Sequence, residues 1–116
     1  MAHVPANLQK IVEKAAPLEL ELRFRPMFGG IGAYAFGRMF MSLSDVGLAL
    51  KLGEAERHEL LRLKGAKPLQ YEPDAPPSKS YVVVPETMLS EPKTLQSWIA
   101  KSAAFARTQE PRRRKK

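Results

Sequence analysis

Hydrophobic and polar residues alternate with two different periods along this chain, and the change of period marks its elements. After Pro5, residues Leu8, Ile11, Val12 and Ala15 recur at the spacing of one helical face, with Lys10, Glu13 and Lys14 on the other. Pro17 stops that pattern. Leu18, Leu20 and Leu22 then alternate with Glu19, Glu21 and Arg23, which predicts a strand beginning near Leu20 and covering roughly Glu21 to Phe28. Three apolar runs follow, Ile31 to Phe36, Met39 to Leu43 and Leu48 to Leu52. They are separated by Phe36-Gly37-Arg38 and Ser44-Asp45-Val46-Gly47, which carry turn chemistry, so the stretch from Arg25 to Lys51 is predicted to be a meander of strands. Strict alternation puts Met39, Met41 and Leu43 on one side of the pleat and Arg38, Phe40 and Ser42 on the other. Leu48, Leu50 and Leu52 likewise alternate with Ala49 and Lys51. One face is expected to be buried and the other at least partly wet. The paired Gly29-Gly30 allows a bulge or a tight link between the first two strands.

Beyond the meander, Gly53 to Lys64 has acidic residues early, basic residues late and Gly65 just past its end, the charge order that suits a helix dipole and a glycine cap. Leu60, Leu61 and Leu63 supply its apolar side. Leu69 to Glu72 reads as a short strand ended by the proline-rich Pro73 to Pro77, and Ser80 to Val84 as the last strand, with Tyr81 and Val83 opposite Val82 and Val84. A final helix from about Glu91 carries the stripe Leu95, Trp98, Ile99, Ser102 and Phe105, with Ser90 as its cap and Pro92 in its first turn. The order helix, four strands, helix, two strands, helix, joined by short links, predicts an α+β domain. Its sheet is antiparallel and its helices lie on one face.

At 116 residues the chain has room for one core, assigned to residues 5–106. The absence of cysteine excludes disulfides, thiolate nucleophiles and cysteine metal sites. No apolar run approaches the roughly 20 residues that span a bilayer and no signal-peptide pattern opens the chain, so an unexported cytoplasmic protein without a membrane partner is expected. The net charge of +7 is concentrated at the end: residues 107–116 hold six cations against Glu110, a net +5, which leaves +2 for residues 1–106. Residues 107–116 are therefore expected to be a basic, disordered tail. Arg112, Arg113, Arg114, Lys115 and Lys116 could hold phosphates weakly and without sequence preference.

Elements of catalytic chemistry are missing. Gly29, Gly30 and Gly32 follow a strand, yet another strand comes after them rather than a phosphate-binding helix, which favours hairpin geometry over a phosphate cradle. His3 falls in a terminus expected to fray, and His58 sits mid-helix without a second ligand at metal-binding spacing. Ser42, Ser78 and Ser80 lack His and acid partners, and Glu54, Glu56 and Glu59 read as a solvated helix face. No enzyme activity, cofactor or metal is expected. Tyr34, Phe36, Phe40, Tyr71 and Tyr81 are instead read as an aromatic patch on the sheet face that the helices leave open, usable by a partner or a second copy.

The colinear set Arg25-Pro26-Met27-Phe28-Gly29-Gly30, Gly32, Tyr34, Gly37, Met39-Phe40, Gly47-Leu48, Leu50-Lys51, Tyr71-Glu72-Pro73, Tyr81 and Val84-Pro85-Glu86 resembles the N-terminal domain of the TfoX/Sxy competence regulators over roughly Leu8 to Ala104. That resemblance implies a small α+β domain similar to secretion-chaperone-like folds. It also implies a regulatory role, since full-length members look like co-regulators of natural transformation that act with the cyclic-AMP receptor protein. Full-length members carry a second, helical domain beginning where Pro111-Arg112-Arg113-Arg114-Lys115-Lys116 stands here, so a stand-alone N-terminal domain is the expectation. A non-enzymatic regulatory or adaptor domain follows, with a protein partner such as a transcription regulator, or a homodimer. Its expected surface comprises Arg25, Met27, Phe28, Gly29, Gly30 and Phe40. A nucleic-acid-associated protein using the tail, and a small-ligand binder or enzyme near the glycine turn, are the alternatives.

Overall fold

Pro5 occupies the first position of helix α1 (Pro5–Ala15), where its missing N–H costs nothing, and Val4 precedes it without a side-chain cap. The computed structural model describes residues 3–17, 20–27, 30–70 and 74–108. Leu8, Val12 and Ala15 are buried on α1 and Ile11 packs at their margin, as the spacing predicts. Strands β1 (Arg23–Met27), β2 (Gly30–Ala35), β3 (Arg38–Ser44) and β4 (Gly47–Lys51) form the meander. Helix α2 (Glu54–Leu61), strands β5 (Lys67–Pro68) and β6 (Tyr81–Val83), a 3-10 turn over Glu86–Ser90 and helix α3 (Pro92–Thr108) complete the chain. The sheet is antiparallel throughout, in the order β1-β2-β3-β4-β6-β5. The predicted element order therefore holds.

Several boundaries move. The first strand starts at Arg23 rather than Leu20, because Glu21 takes a left-handed φ of 50° that no strand continues through. The predicted strand at Leu69–Glu72 is displaced to Lys67–Pro68; Leu69 still donates its N–H to Tyr81 O at 3.0 Å, and residues 71–73 lie outside the described residues. Helix α2 stops at Leu61, leaving Leu63 exposed, while Gly65 does adopt positive φ past its end. Ser90 does not cap α3: its hydroxyl donates to Thr87 O in the 3-10 turn, and Glu91 precedes Pro92. Helix α3 continues through Arg107 and Thr108, the first two residues assigned to the tail, and residues 109–116 lie outside the described residues. His3 is anchored, its N–H on Asp45 O at 3.0 Å and its Nε2 2.6 Å from a Glu86 carboxylate oxygen.

The core lies between one sheet face and the helices. Leu8, Val12, Leu60, Leu95, Trp98, Ile99 and Ala103 meet Ala33, Met41, Leu43, Leu48, Leu50, Val82 and Val84 there. A defect in the meander decides which side each β3 residue faces. Ala33 pairs with Met41 but Tyr34 pairs with Met39, so Phe40 is an extra residue bulged out of the ladder with β2. The bulge resets the alternation: Phe40, Met41 and Leu43 all join the helix-side core, while Met39 and Ser42 line the opposite face.

The bulge also explains the one polar residue in the α3 stripe. The hydroxyl of Ser102, fully buried, lies 2.7 Å from Lys51 O and 3.1 Å from Phe40 O, and shares its proton between them. A helix serine thus serves two carbonyls, one at the bulge and one at the end of β4. Ser102→Ala is expected to lower stability by about 1–3 kcal/mol, because a buried acceptor loses its donor. Ser97→Ala on the exposed side of the same helix should change it by less than about 0.5 kcal/mol. Urea unfolding of the two variants checks the pair.

Candidate functional site

Only one face of the sheet carries the helices, and register assigns the side chains of the other. Arg23, Arg25 and Met27 of β1 stand opposite Tyr34, Gly32 and Gly30 of β2, and these continue across to Met39, Ser42 and Ser44 of β3. Ala49 and Lys51 of β4 pair with Val83 and Tyr81 of β6, and Lys67 of β5 pairs with Val83. Ala49, Val83 and Leu69 make a small second cluster on this side, flanked by Val46 and Tyr81. The face is apolar along most of its middle, with Lys51 at the end of β4, and carries Arg23, Arg25 and Lys67 on its outer strands.

Its central floor is set by Gly32. A methyl group there would lie 2.8 Å from Met27 Sδ and 3.2 Å from Met39 Sδ, so the two thioethers occupy the space a side chain would take. Met27 is exposed, and the Arg25 guanidinium sits 5.8 Å from the centre of the Tyr34 ring. Beside Met39 a cleft of about 280 Å³ opens between the sheet and the loop before β6, lined by Ser42, Leu69, Pro76, Ser78 and Tyr81. Ser78 Oγ accepts the N–H groups of Ser80 and Tyr81 and thereby holds the loop against the strand. A larger groove of about 620 Å³ runs on the helix side between α1 and α3, past Glu13, Lys14, Pro17, Gln96 and Ala100.

The residues of the surface expected from the sequence do not all share one face. Arg25 and Met27 are exposed on β1. Gly30 pairs with Met27 across a two-residue link and lies against the Leu43 backbone, where a Cβ would not fit. Phe28 and Gly29 lie outside the described residues. Phe40 is a correction: it is 0% exposed and belongs to the helix-side core, because the bulge turns it away from the open face. The expected aromatic patch shrinks accordingly. Tyr34 and Tyr81 are half-buried on the open face, Phe36 is exposed at the β2–β3 turn, and Tyr71 falls outside the described residues, as do Arg112, Arg113, Arg114, Lys115 and Lys116.

Phe36 is held in an unfavourable backbone. It and Gly37 have φ of 56° and 76°, the pattern of a type I′ hairpin turn whose first position favours asparagine. Its ring lies 5.1 Å from the Arg107 guanidinium. Relief of strain, about 1–2 kcal/mol, should exceed the loss of an exposed cation–π contact of about 0.5 kcal/mol. Phe36→Asn is therefore expected to raise the melting temperature by about 4 °C, measured by calorimetry.

Charge on the open face is uneven in a way the sequence totals hide. Among the described residues, every charged residue in a strand is a cation: Arg23, Arg25, Arg38, Lys51 and Lys67. The described acidic residues fall in helices, turns and loops. Among the described residues, Arg23, Arg25, Lys51 and Lys67 have no ion-pair partner. Dividing charge along the chain leaves only +2 on residues 1–106, and a sum along the chain does not show which cations share a face.

Among the described residues no group of three or more His, Asp or Glu is placed to hold a metal ion, and no helix is long and apolar enough to cross a membrane. No curated protein sequence and no solved structure gives a significant match to the chain. The family model of the TfoX N-terminal domain matches residues 14–106, a span that holds the six described strands, α2, all but the last two residues of α3, and the open face. With most of its length inside that match, the chain belongs to the TfoX N-terminal domain family.

Proposed function

We propose that this domain is a non-catalytic regulatory or adaptor module that works by protein contact through its open sheet face. The observation that supports this reading most is the band formed by Met27, Gly32, Tyr34 and Met39: apolar, continuous across three strands and left uncovered by the helices. Thioethers and tyrosines suit such a role, because methionine adapts its shape to a partner and tyrosine offers an apolar ring with a polar tip. Membership of the TfoX N-terminal domain family accords with a regulatory setting, and a transcription regulator is the partner class that this favours.

Affinity capture from an extract of the source cells tests it, with wild type beside a Met27→Asp/Tyr34→Ala variant of unchanged melting temperature. One protein recovered by wild type and lost from the variant is the expected result. Equal recovery of every bound protein by both would refute the role of this face.

A further inference from the structure

We infer that the open sheet face takes a short, extended, acidic segment of a partner protein, anchored by one large apolar side chain in the cleft beside Met39. This rests on the protein-contact reading above and specifies the partner's chemistry. Three observations carry it. The first is charge: Arg23 and Arg25 at one margin, Lys51 near the middle and Lys67 at the other margin are all cations on one face, without an ion-pair partner among the described residues. An incoming carboxylate would gain contacts that nothing in the described fold already satisfies, and like-charged surfaces would be repelled.

The second is shape. The cleft of about 280 Å³ has Met39, Leu69 and Pro76 as apolar walls and the hydroxyl-bearing Ser42, Ser78 and Tyr81 around them. A buried apolar anchor inside a charged rim is how protein interfaces are built, and Arg23, Arg25 and Lys67 on the outer strands fit a rim. The third is size. Six strands at about 4.8 Å spacing and some five residues at about 3.4 Å make a face of only about 400 Å². A footprint of that size accommodates an extended segment of chain, whereas a standard interface between globular subunits, about 800 Å² of accessible surface on each side, would reach beyond the rims of this face.

A second copy of this chain is disfavoured on the same grounds. Stacking two such faces would set cations against cations, and pairing two β1 edges would bring Arg23 and Arg25 beside their own counterparts. Pro26 also removes one donor from that edge.

The test uses the full chain, immobilised, to select from a displayed library of random twelve-residue peptides. The peptides selected are then synthesised with a fluorescent label and titrated against wild type, an Arg23→Glu/Arg25→Glu variant, a Lys67→Glu variant and a chain lacking Arg112 to Lys116. The expected consensus is rich in Asp and Glu around one Trp, Phe or Leu. Its affinity should fall at least ten-fold in the Arg23/Arg25 variant, several-fold in the Lys67 variant and little on removal of the tail residues. A neutral or basic consensus, no enrichment, or binding lost only with the tail residues would each overturn the inference. Tighter binding of labelled dT12 through the same arginines would also overturn it, making nucleic acid the occupant. A specific protein captured through Met27 and Tyr34 despite a non-acidic consensus would leave the contact reading standing and remove only its acidic partner.

Discussion

Phe40→Ala is expected to cost about 3–5 kcal/mol of stability, a large part of the 5–15 kcal/mol that holds a domain of this size together. The side chain is 0% exposed and packs in one cluster with Met41, Leu43 and the α3 residues. It sits on a bulge whose carbonyl is fixed by Ser102, so the backbone is tied in place and cannot collapse freely into the space a methyl would leave. Loss of transfer energy and a residual cavity should therefore add. Phe40→Leu, which keeps most of the volume, should recover more than half of the loss. Chemical denaturation reads both; a cost below about 1 kcal/mol for Phe40→Ala would mean that the side chain lies on the open face after all.

Gly30→Ala should be nearly as damaging for a different reason. A Cβ at Gly30 would stand within contact-forbidding range of Leu43 O, 3.2 Å from the carbonyl carbon of Leu43 and 3.3 Å from Ser44 Cα. Those atoms are backbone, so no side chain can swing aside, and β2 must part from β3 at the Gly30–Ser44 and Ile31–Leu43 pairs. We expect a loss of about 3 kcal/mol, toward the upper end for overpacking, with faster amide exchange at Leu43 and Ser44. Gly37→Ala offers the contrast: its added methyl meets nothing within 4 Å, and only the positive φ of 76° resists it, at about 1 kcal/mol. Equal costs at the two glycines would show that strand approach is not what Gly30 provides.

These two positions also show what could be read from the sequence. The element order, the antiparallel meander, both turns within it and the apolar stripes of α1 and α3 follow from periodicity and turn chemistry, because each is a local property of neighbouring residues. Phe40 defeated the same reasoning. Period-two alternation assumes an unbroken pleat, and a single bulged residue reverses the side assigned to everything on one flank of it. Met39 and Ser42 therefore face outward with Tyr34, whereas Phe40 turns inward. Ser102 was placed on the right face of α3, but its purpose depends on carbonyls of Phe40 and Lys51, 62 and 51 residues away in the chain, which no local pattern encodes.

Charge was misread for a related reason. A net +2 over residues 1–106 suggests a balanced body, yet balance along a chain says nothing about balance across a face. Sheet pairing gathers Arg23, Arg25, Lys51 and Lys67 from three strands, and the described acids lie on helices and in turns and loops. Arg25 and Met27 were legible as surface because they lie in an edge strand next to turn residues. Lys51 is legible too, as the alternate of Leu48, Leu50 and Leu52, whereas Met39 is not, because the bulge at Phe40 reverses its side.

Oxidative footprinting of the chain in buffer and in an extract of its source cells measures the central claim most directly. Met27 and Tyr34 report the open face, while exposed Leu63 on the segment after α2 serves as an internal reference. If the uncovered sheet is the working surface, the extract should lower the labelling of Met27 and Tyr34 several-fold and leave Leu63 unchanged. Unchanged labelling of Met27 and Tyr34, with protection appearing instead along the outer sides of α1 and α3, would contradict it.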